Sequence, residues 1–539
     1  MELTWKGIKD RQAFENAGIE LPGYDVEKVS RQTKAFPRWV HFGIGNIFRG
    51  FIGGIADDLL EAGMMDTGIT CVETFDYEVV DKIYKTFDNL VLSIILRGDG
   101  TRQMKVLGSL GEAVKADSSD PASWSRLREI FAAPTLQLVS FTITEKGYAL
   151  KGTDGSYLSY VEKDMENGPA QAKGAMAVLT AMLLERYQNG ACPIALVSMD
   201  NCSHNGSLLR ASVLTTAEEW VGRGLAEEGF LAYVSDPSKV SFPWTMIDKI
   251  TPRPSEKIAE ELNELGLPNM QPVITGKRTY IAPFVNAEGP QYLVIEDSFP
   301  GGRPDLSRGK GVYLADQKTV DLCERMKVTA CLNPVHSALG PLGVVLGIDL
   351  FADLLKDPDI LKMGRTVAYQ EGMKVIKDPG ILSPQAFTDE LFDDRFPNEY
   401  LGDTNLRLCT DTSQGLGVRF GETIKAYRRE YGTAEGLTAI PLGIAGYMRY
   451  LMGIDDQGQT YELAPDPLAG ELHGRLSTVM LGDPDSLKDQ LRPVLSNESI
   501  FFTDLYADGL GEKIEQMLKE MIAGPGAVKE TIHRYMTNI

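Results

Sequence analysis

The run from Trp39 to Asp76 constrains the fold most. Trp39-Val-His-Phe42 reads as a short apolar strand, and Gly43-Ile-Gly45-Asn-Ile-Phe-Arg-Gly50 follows as a glycine-rich turn. Phe51–Ala62 has helical periodicity with Gly63 as its stop; Gly68–Val72 is a second strand, with Glu73 and Asp76 at its end. Strand, glycine turn, helix, strand and acid, in that order, build a dinucleotide-binding unit. Gly43 permits the tight turn. Gly45 lets the backbone approach a pyrophosphate seated on the helix N-terminus. The acid holds the adenosine ribose hydroxyls and repels a 2′-phosphate, so NAD is the expected cofactor. Asp76, just beyond the strand, suits that role, with Glu73 as the alternative. The usual third glycine is missing: Phe48 stands in its place and Gly50 comes two residues later. Asn46, Ile47 and Arg49 complete the expected cofactor-binding turn.

Strand–helix alternation continues. Leu136–Phe141 is another buried strand and runs into Thr142-Ile-Thr-Glu-Lys-Gly-Tyr148, which puts Thr144 and Glu145 beside the cofactor and Lys146 toward substrate. Ala175–Gln188 is helical in pattern, and Pro193–Ser198 is a strand followed by Met199-Asp-Asn-Cys-Ser-His-Asn-Gly206. Polar residues at the carboxyl ends of strands in an open α/β sheet face the ligand crevice. The Gly/Pro-rich stretch Phe299–Gly311 reads as a linker. The expected architecture is α/β: a Rossmann-type doubly wound domain with an N-terminal extension (1–305) and a mainly helical substrate domain (306–539). Helices are expected at Val320–Ala330, Pro334–Gly347, Ala368–Val375, Pro384–Asp394, Ala434–Met452, Ala469–Met480 and Leu510–Met521. A substrate is expected in the cleft between two such domains.

The second half carries the chemistry. Glu324-Arg-Met-Lys-Val-Thr-Ala-Cys-Leu-Asn-Pro-Val-His336 puts Lys327, Asn333 and His336 within ten residues, and His336 is one of only five histidines. A lysine to exchange a proton, an amide to hold an oxyanion and an imidazole suit carbonyl–alcohol chemistry. The same residues also suit a solvated lysine, a helix cap before Pro334 and a packed histidine. Arg407 could clamp a carboxylate through its planar fork, or form a salt bridge.

Composition excludes other classes. A net charge of −21 disfavours nucleic-acid backbones and anionic membranes. No apolar run reaches about 18–20 residues, and Met-Glu-Leu-Thr-Trp-Lys is not a secretory start, so a cytoplasmic protein with no membrane partner is expected. Six scattered cysteines lack metal-site spacing, so reduced thiols and no metal are expected.

These motifs together resemble the polyol-specific long-chain dehydrogenases/reductases, the mannitol dehydrogenase family, and within it most closely the fructuronate reductases. The resemblance runs from about residue 38 to at least residue 420. It also takes in Asp200-Asn201 with Asn205-Gly206, Phe242–Pro252 and Ile295–Pro304. It implies metal-independent hydride transfer between NAD and a small sugar acid or polyol, with a monomer permitted. Fructuronate reduced by NADH to mannonate is the leading expectation; hexitol oxidation of the mannitol type and a non-catalytic nucleotide or sugar sensor are the alternatives. By matching position, Lys327 is the acid/base, Asn201 and Asn333 hold the reacting oxygen, and His336 binds a neighbouring hydroxyl. Glu324 relays protons to solvent, and Asp248 and Arg407 line the substrate pocket. Two departures stand out. Family members usually place the asparagine five residues after the lysine, and here it is six, which a bulge before Pro334 would accommodate. They often carry lysine where Gly415 stands.

Overall fold

Six parallel strands form the main sheet in a computed structural model that describes residues 1–152 and 154–539. They are β1 (Trp39–Phe42), β2 (Ile69–Glu73), β3 (Leu110–Lys115), β4 (Leu138–Phe141), β5 (Ile194–Ser198) and β6 (Val240–Ser241). Their spatial order is 3-2-1-4-5-6, all in parallel register. That order reverses between β1 and β4, the switch point where such sheets bind ligands. Both faces are covered, which is why the strands read as unbroken apolar runs. Val40, Phe42, Val139, Phe141 and Leu196 pack on one side with the helices Pro121–Ala132, Ala175–Gln188 and Asn205–Gly222. Trp39, Cys71, Leu138 and Val197 pack on the other with Phe48, Phe51 and Ile55.

The first helix starts earlier than its periodicity suggests. Helical backbone begins at Asn46, passes through a π turn at Phe48–Ile52 and continues as Gly53–Glu61. Gly63, at φ 67°, ends it as expected. A second sheet joins Ile19–Glu20, Arg102–Leu107, Val91–Leu96 and Phe284–Glu288, so the N-terminal extension supplies an edge strand.

Contacts divide the chain into Met1–Asp321 and Leu322–Ile539. The division falls later than residue 305 for a structural reason. The Gly/Pro-rich stretch leads into strand Val312–Ala315, which pairs in parallel with Tyr292–Glu296 of the first unit. The second unit is helical throughout its named elements, led by Asn333–Val345, which packs on Ala439–Tyr450, and by Gly511–Met521. Several of its helices contain π turns, at Met326–Cys331, Thr366–Gly372, Leu391–Arg395 and Gly417–Gly421. Gln317–Val345, taken through its π turn, is one helix long and apolar enough by composition to cross a membrane, contrary to the count of apolar runs; 67% of its apolar window is buried inside the protein.

Candidate active site

The β1 turn is built around two glycines with different duties. Gly43 adopts φ 88°, and a Cβ there would lie 2.2 Å from the Thr142 carbonyl oxygen, so only glycine lets the β1 and β4 loops touch. Thr142 seals the junction, its Oγ1 donating to the Gly43 carbonyl at 2.8 Å. Gly45 is the opposite case: a Cβ there would meet nothing within 4 Å. Open space over a glycine, at the start of a helix and at the sheet's switch point, is the cradle a pyrophosphate needs. The residues present therefore fit a dinucleotide.

Phe48, where the fingerprint has glycine, stacks on His41 with ring centroids 4.2 Å apart. His41 is fully buried and bridges Ser140 Oγ at 2.6 Å and Thr142 Oγ1 at 2.8 Å. Burial pushes its pKa down to about 3, so the ring is a neutral strut between β1 and β4. Arg49 is 0% exposed, and it donates to the Ala282 carbonyl at 2.6 Å and to Asn46 Oδ1 at 2.7 Å. Arg49 and Asn46 Oδ1 are thus tied into the framework of the turn, Arg49 buried and Asn46 partly exposed. Ile47 lies in the first helical turn, partly buried.

The two candidate acids are also committed. Glu73 Oε1 accepts the Phe75 and Asp76 amides at 2.8 and 3.1 Å, and burial raises its pKa. Asp76 is 3% exposed and accepts from Thr275 Oγ1 at 2.5 Å. Glu73 ends the strand and is also tied to the Ile44 amide of the glycine turn, so it is the acid nearer the cradle.

Beyond β4, Thr144, Glu145 and Lys146 are exposed on a short turn, with Thr144 at φ 65°. Asp200 holds this turn in place. Its carboxylate accepts the Ile143 and Thr144 amides, each at 2.9 Å, and the Tyr148 hydroxyl at 2.6 Å. Asn201 follows on the exposed loop. Asn205 fixes that loop's far end through Thr245, accepting its amide at 3.0 Å and donating to its hydroxyl at 2.9 Å. Asp248 is 7% exposed at the end of Thr245–Asp248.

In the second unit, Glu324 and Lys327 lie one helical turn apart, Glu324 partly exposed and Lys327 only 2% exposed. A bulk-solvated lysine is therefore excluded. Lys327 lies within the π turn Met326–Cys331, and the helix resumes as α at Asn333. Asn333 and His336 then lie three residues apart, on one face. The Asn333 Oδ1 is buried without a hydrogen-bond partner among the described residues. An unpaired buried amide costs roughly 1–3 kcal/mol. A ligand hydroxyl donating to Oδ1 removes that cost, and with the amide turned over its NH₂ group donates to an alkoxide from the same place.

His336 packs edge-on against Phe351 at 4.9 Å and tilted against Phe396 at 5.2 Å. Burial, then the charges of Arg395, Arg419 and Arg407, lower its pKa to about 3. It is a neutral imidazole, suited to a hydroxyl partner. Arg407 is exposed and ion-paired to Asp403, within its own unit. Its short helix Asn405–Leu408 is locked onto Asn333–Val345 by glycine: a Cβ on Gly343 would collide with the Asn405 amide at 2.3 Å.

In the first unit Asp200 organises the turn after β4, and in the second Arg419 acts on His336 through its charge; the sequence context of neither signals this. Asp200 stands among turn-forming residues, and Arg419 in a glycine-rich π turn, Gly417–Gly421. Among the described residues no group of three or more His, Cys, Asp or Glu side chains could hold a metal ion.

Residues 37–308 match the family model of the mannitol dehydrogenase Rossmann domain, and residues 319–522 match that of the mannitol dehydrogenase C-terminal domain. The chain is 50% identical over 534 residues to the D-mannonate oxidoreductase of Thermotoga maritima, covering 99% of this chain and 98% of that protein. Among solved structures it is similar to a D-sorbitol dehydrogenase in substrate-free form, with a TM-score of 0.78 and 25% identity over 96% of this chain and 98% of that one. The Pseudomonas fluorescens mannitol 2-dehydrogenase ternary complex with NAD and D-mannitol shares the fold, with a TM-score of 0.71 at 24% identity over 100% of both chains.

Proposed function

The chain belongs to the mannitol dehydrogenase family, and we propose that it is an NAD-dependent oxidoreductase interconverting D-fructuronate and D-mannonate. Near full-length similarity to a D-mannonate oxidoreductase supports the substrate. The observation that carries the chemistry is the burial of Lys327 one π turn before an unsatisfied Asn333 amide.

When bound, NADH supplies the hydride that adds to the keto carbon. Lys327, as the ammonium, gives its proton to the carbonyl oxygen as the C=O π bond breaks, leaving a neutral amine. Asn333 and Asn201 donate to the developing alkoxide; a donor of this kind is worth roughly 2.7–4 kcal/mol in comparable sites. His336, kept neutral, holds a neighbouring hydroxyl, and Glu324 returns a proton to Lys327 from solvent. Arg407, Asp248 and Lys146 orient the sugar acid. In the reverse direction the Lys327 amine takes the hydroxyl proton. Gly43, Gly45 and the first helical turn position the pyrophosphate, with Asn46, Ile47 and Arg49 shaping the turn and Thr144 and Glu145 flanking it. Glu73 or Asp76 disfavours a 2′-phosphate. Six free thiols suit a reducing compartment, and we place the enzyme in the cytoplasm.

The test is a panel of keto acids, ketoses and hexitols assayed with NADH, NAD and their phosphorylated counterparts. Turnover of fructuronate with NADH is expected. Turnover of mannitol with none of fructuronate would overturn the substrate, and a preference for NADPH would overturn the assignment of the acids.

A further inference from the structure

Gly415 has a use that its local sequence does not show. It sits in the helix Thr412–Leu416 with ordinary helical backbone, so nothing in its own conformation demands glycine. A Cβ there would lie 2.6 Å from Arg419 Nε and 2.7 Å from Arg419 Cζ. The guanidinium of Arg419 therefore rests on the backbone of the preceding turn, in the space a side chain at 415 would take. From there its Nη1 donates to Ser337 Oγ at 2.7 Å. Ser337 is fully buried and adjoins His336 on the helix that carries Asn333.

Arg419 is partly desolvated: burial lowers its pKa, with only the charge of Asp411 acting the other way. A guanidinium has five donors and stays charged. Here one donor goes to a neutral hydroxyl, and Arg419 forms no ion pair among the described residues. Arg407, by contrast, is already paired with Asp403. A half-buried cation lacking a counterion, beside the imidazole and the unpaired Asn333 amide, calls for an anion, and a planar carboxylate fits its fork.

We propose that Arg419 is the residue that anchors the carboxylate of the sugar acid, and that Gly415 sets substrate class by leaving room for it. This rests on the keto-acid reading above.

The experiment compares fructuronate with its neutral counterpart fructose, both with NADH, in wild-type protein and in Arg419→Met, Arg419→Lys and Gly415→Ala, each checked by thermal midpoint. Loss of a charge-assisted contact should raise KM for the acid by about 10- to 100-fold in Arg419→Met. The ratio of kcat/KM for acid over ketose should fall at least about tenfold, with partial retention in Arg419→Lys. Gly415→Ala, which keeps the charge but displaces the guanidinium, should lower the same ratio, and it serves if Arg419→Met does not fold. Equal losses on both substrates, or an unchanged KM for the acid, would overturn the anchor. If wild-type protein does not turn over fructuronate, the functional reading fails on its own. The anchor is then judged by calorimetric binding of mannonate to NADH-loaded protein: binding that Arg419→Met removes supports it, and binding that is absent, or unchanged in the variant, overturns it.

Discussion

The Lys327 carbonyl accepts the Leu332 N–H at 3.1 Å, an i to i+5 bond that closes the π turn immediately before Asn333. A π turn holds one residue more than an α turn of about 3.6 residues. Six residues through it sweep about the same rotation as five through plain α-helix. The extra residue between Lys327 and Asn333 is thus absorbed locally, and the two keep the facing expected of a five-residue spacing. Deleting Thr329, partly buried within the turn, should collapse it to α and keep kcat/KM within about tenfold, whereas inserting alanine after Thr329 should cost at least about 100-fold. Comparable losses in both variants would mean that the π turn itself, and not the facing it preserves, is what matters.

Lys327→Ala separates chemistry from binding. In the proposed mechanism its amine donates a proton and takes no part in the glycine turn. We expect kcat to fall by about 10²- to 10⁴-fold while the Kd for NADH, read by fluorescence titration, changes less than about threefold. Parallel loss of both would show that the lysine supports the fold or the cofactor instead.

The two glycines of the β1 turn should respond oppositely to alanine. Gly45→Ala puts its methyl into open space, so the thermal midpoint should hold within about 2 °C while NADH binding weakens about tenfold or more. Gly43→Ala meets the Thr142 carbonyl oxygen at 2.2 Å from a backbone at φ 88°. It should lose about 1–3 kcal/mol of stability before any question of cofactor arises. Measuring both midpoints and both NADH affinities settles the division; a destabilised Gly45→Ala would remove the argument that its space is reserved for a ligand.

Much of this was legible in the residues and some was not, for reasons that are physical. β1, β2 and the turn between them stand out because a sheet buried on both faces needs continuous apolar runs, and a close approach needs glycine. The expected helix start at Phe51 lies downstream of the observed one at Asn46, because the π turn at Phe48–Ile52 breaks the 3.6-residue rhythm that periodicity detects. The edge strand Ile19–Glu20 is two residues long, too short for any alternation to show. Asp200 reads locally as turn chemistry, but one of its partner amides, Thr144, is 56 residues away in sequence. Gly415 stands out in the sequence only as a place where family members often carry lysine; its packing against Arg419 appears only once the helix places the two side by side. Arg407 and Arg49 show the converse. Residue type suggests a ligand contact for each, and what the structure adds is an intramolecular partner: Asp403 for Arg407 and the Ala282 carbonyl for Arg49.

The two neutral histidines make stability depend on pH in a stated direction. His41 and His336 each have a pKa lowered to about 3, His41 by burial and His336 by burial and then by its three arginines. In the unfolded chain each titrates near 6.5. As pH falls, the unfolded chain therefore binds protons first. The contribution to stability is fully present above about pH 6.5 and drains away down to about pH 3, by at most about 1.4 kcal/mol per pH unit for each ring. His336 keeps a little accessible surface, so its share should lie below that limit. Urea unfolding at pH 7.5 and 5.5 tests this with His336→Gln, which cannot titrate. The variant's loss of stability between the two pH values should be smaller than the wild type's by up to about 1 kcal/mol. The kinetics should agree: with the ring neutral throughout, kcat/KM for the keto acid should show no limb near pH 6.5 that His336→Gln abolishes. An equal or steeper loss of stability in the variant, or such a limb, would mean that the imidazole is protonated in the folded protein, and that a cationic His336 faces the substrate together with the arginines.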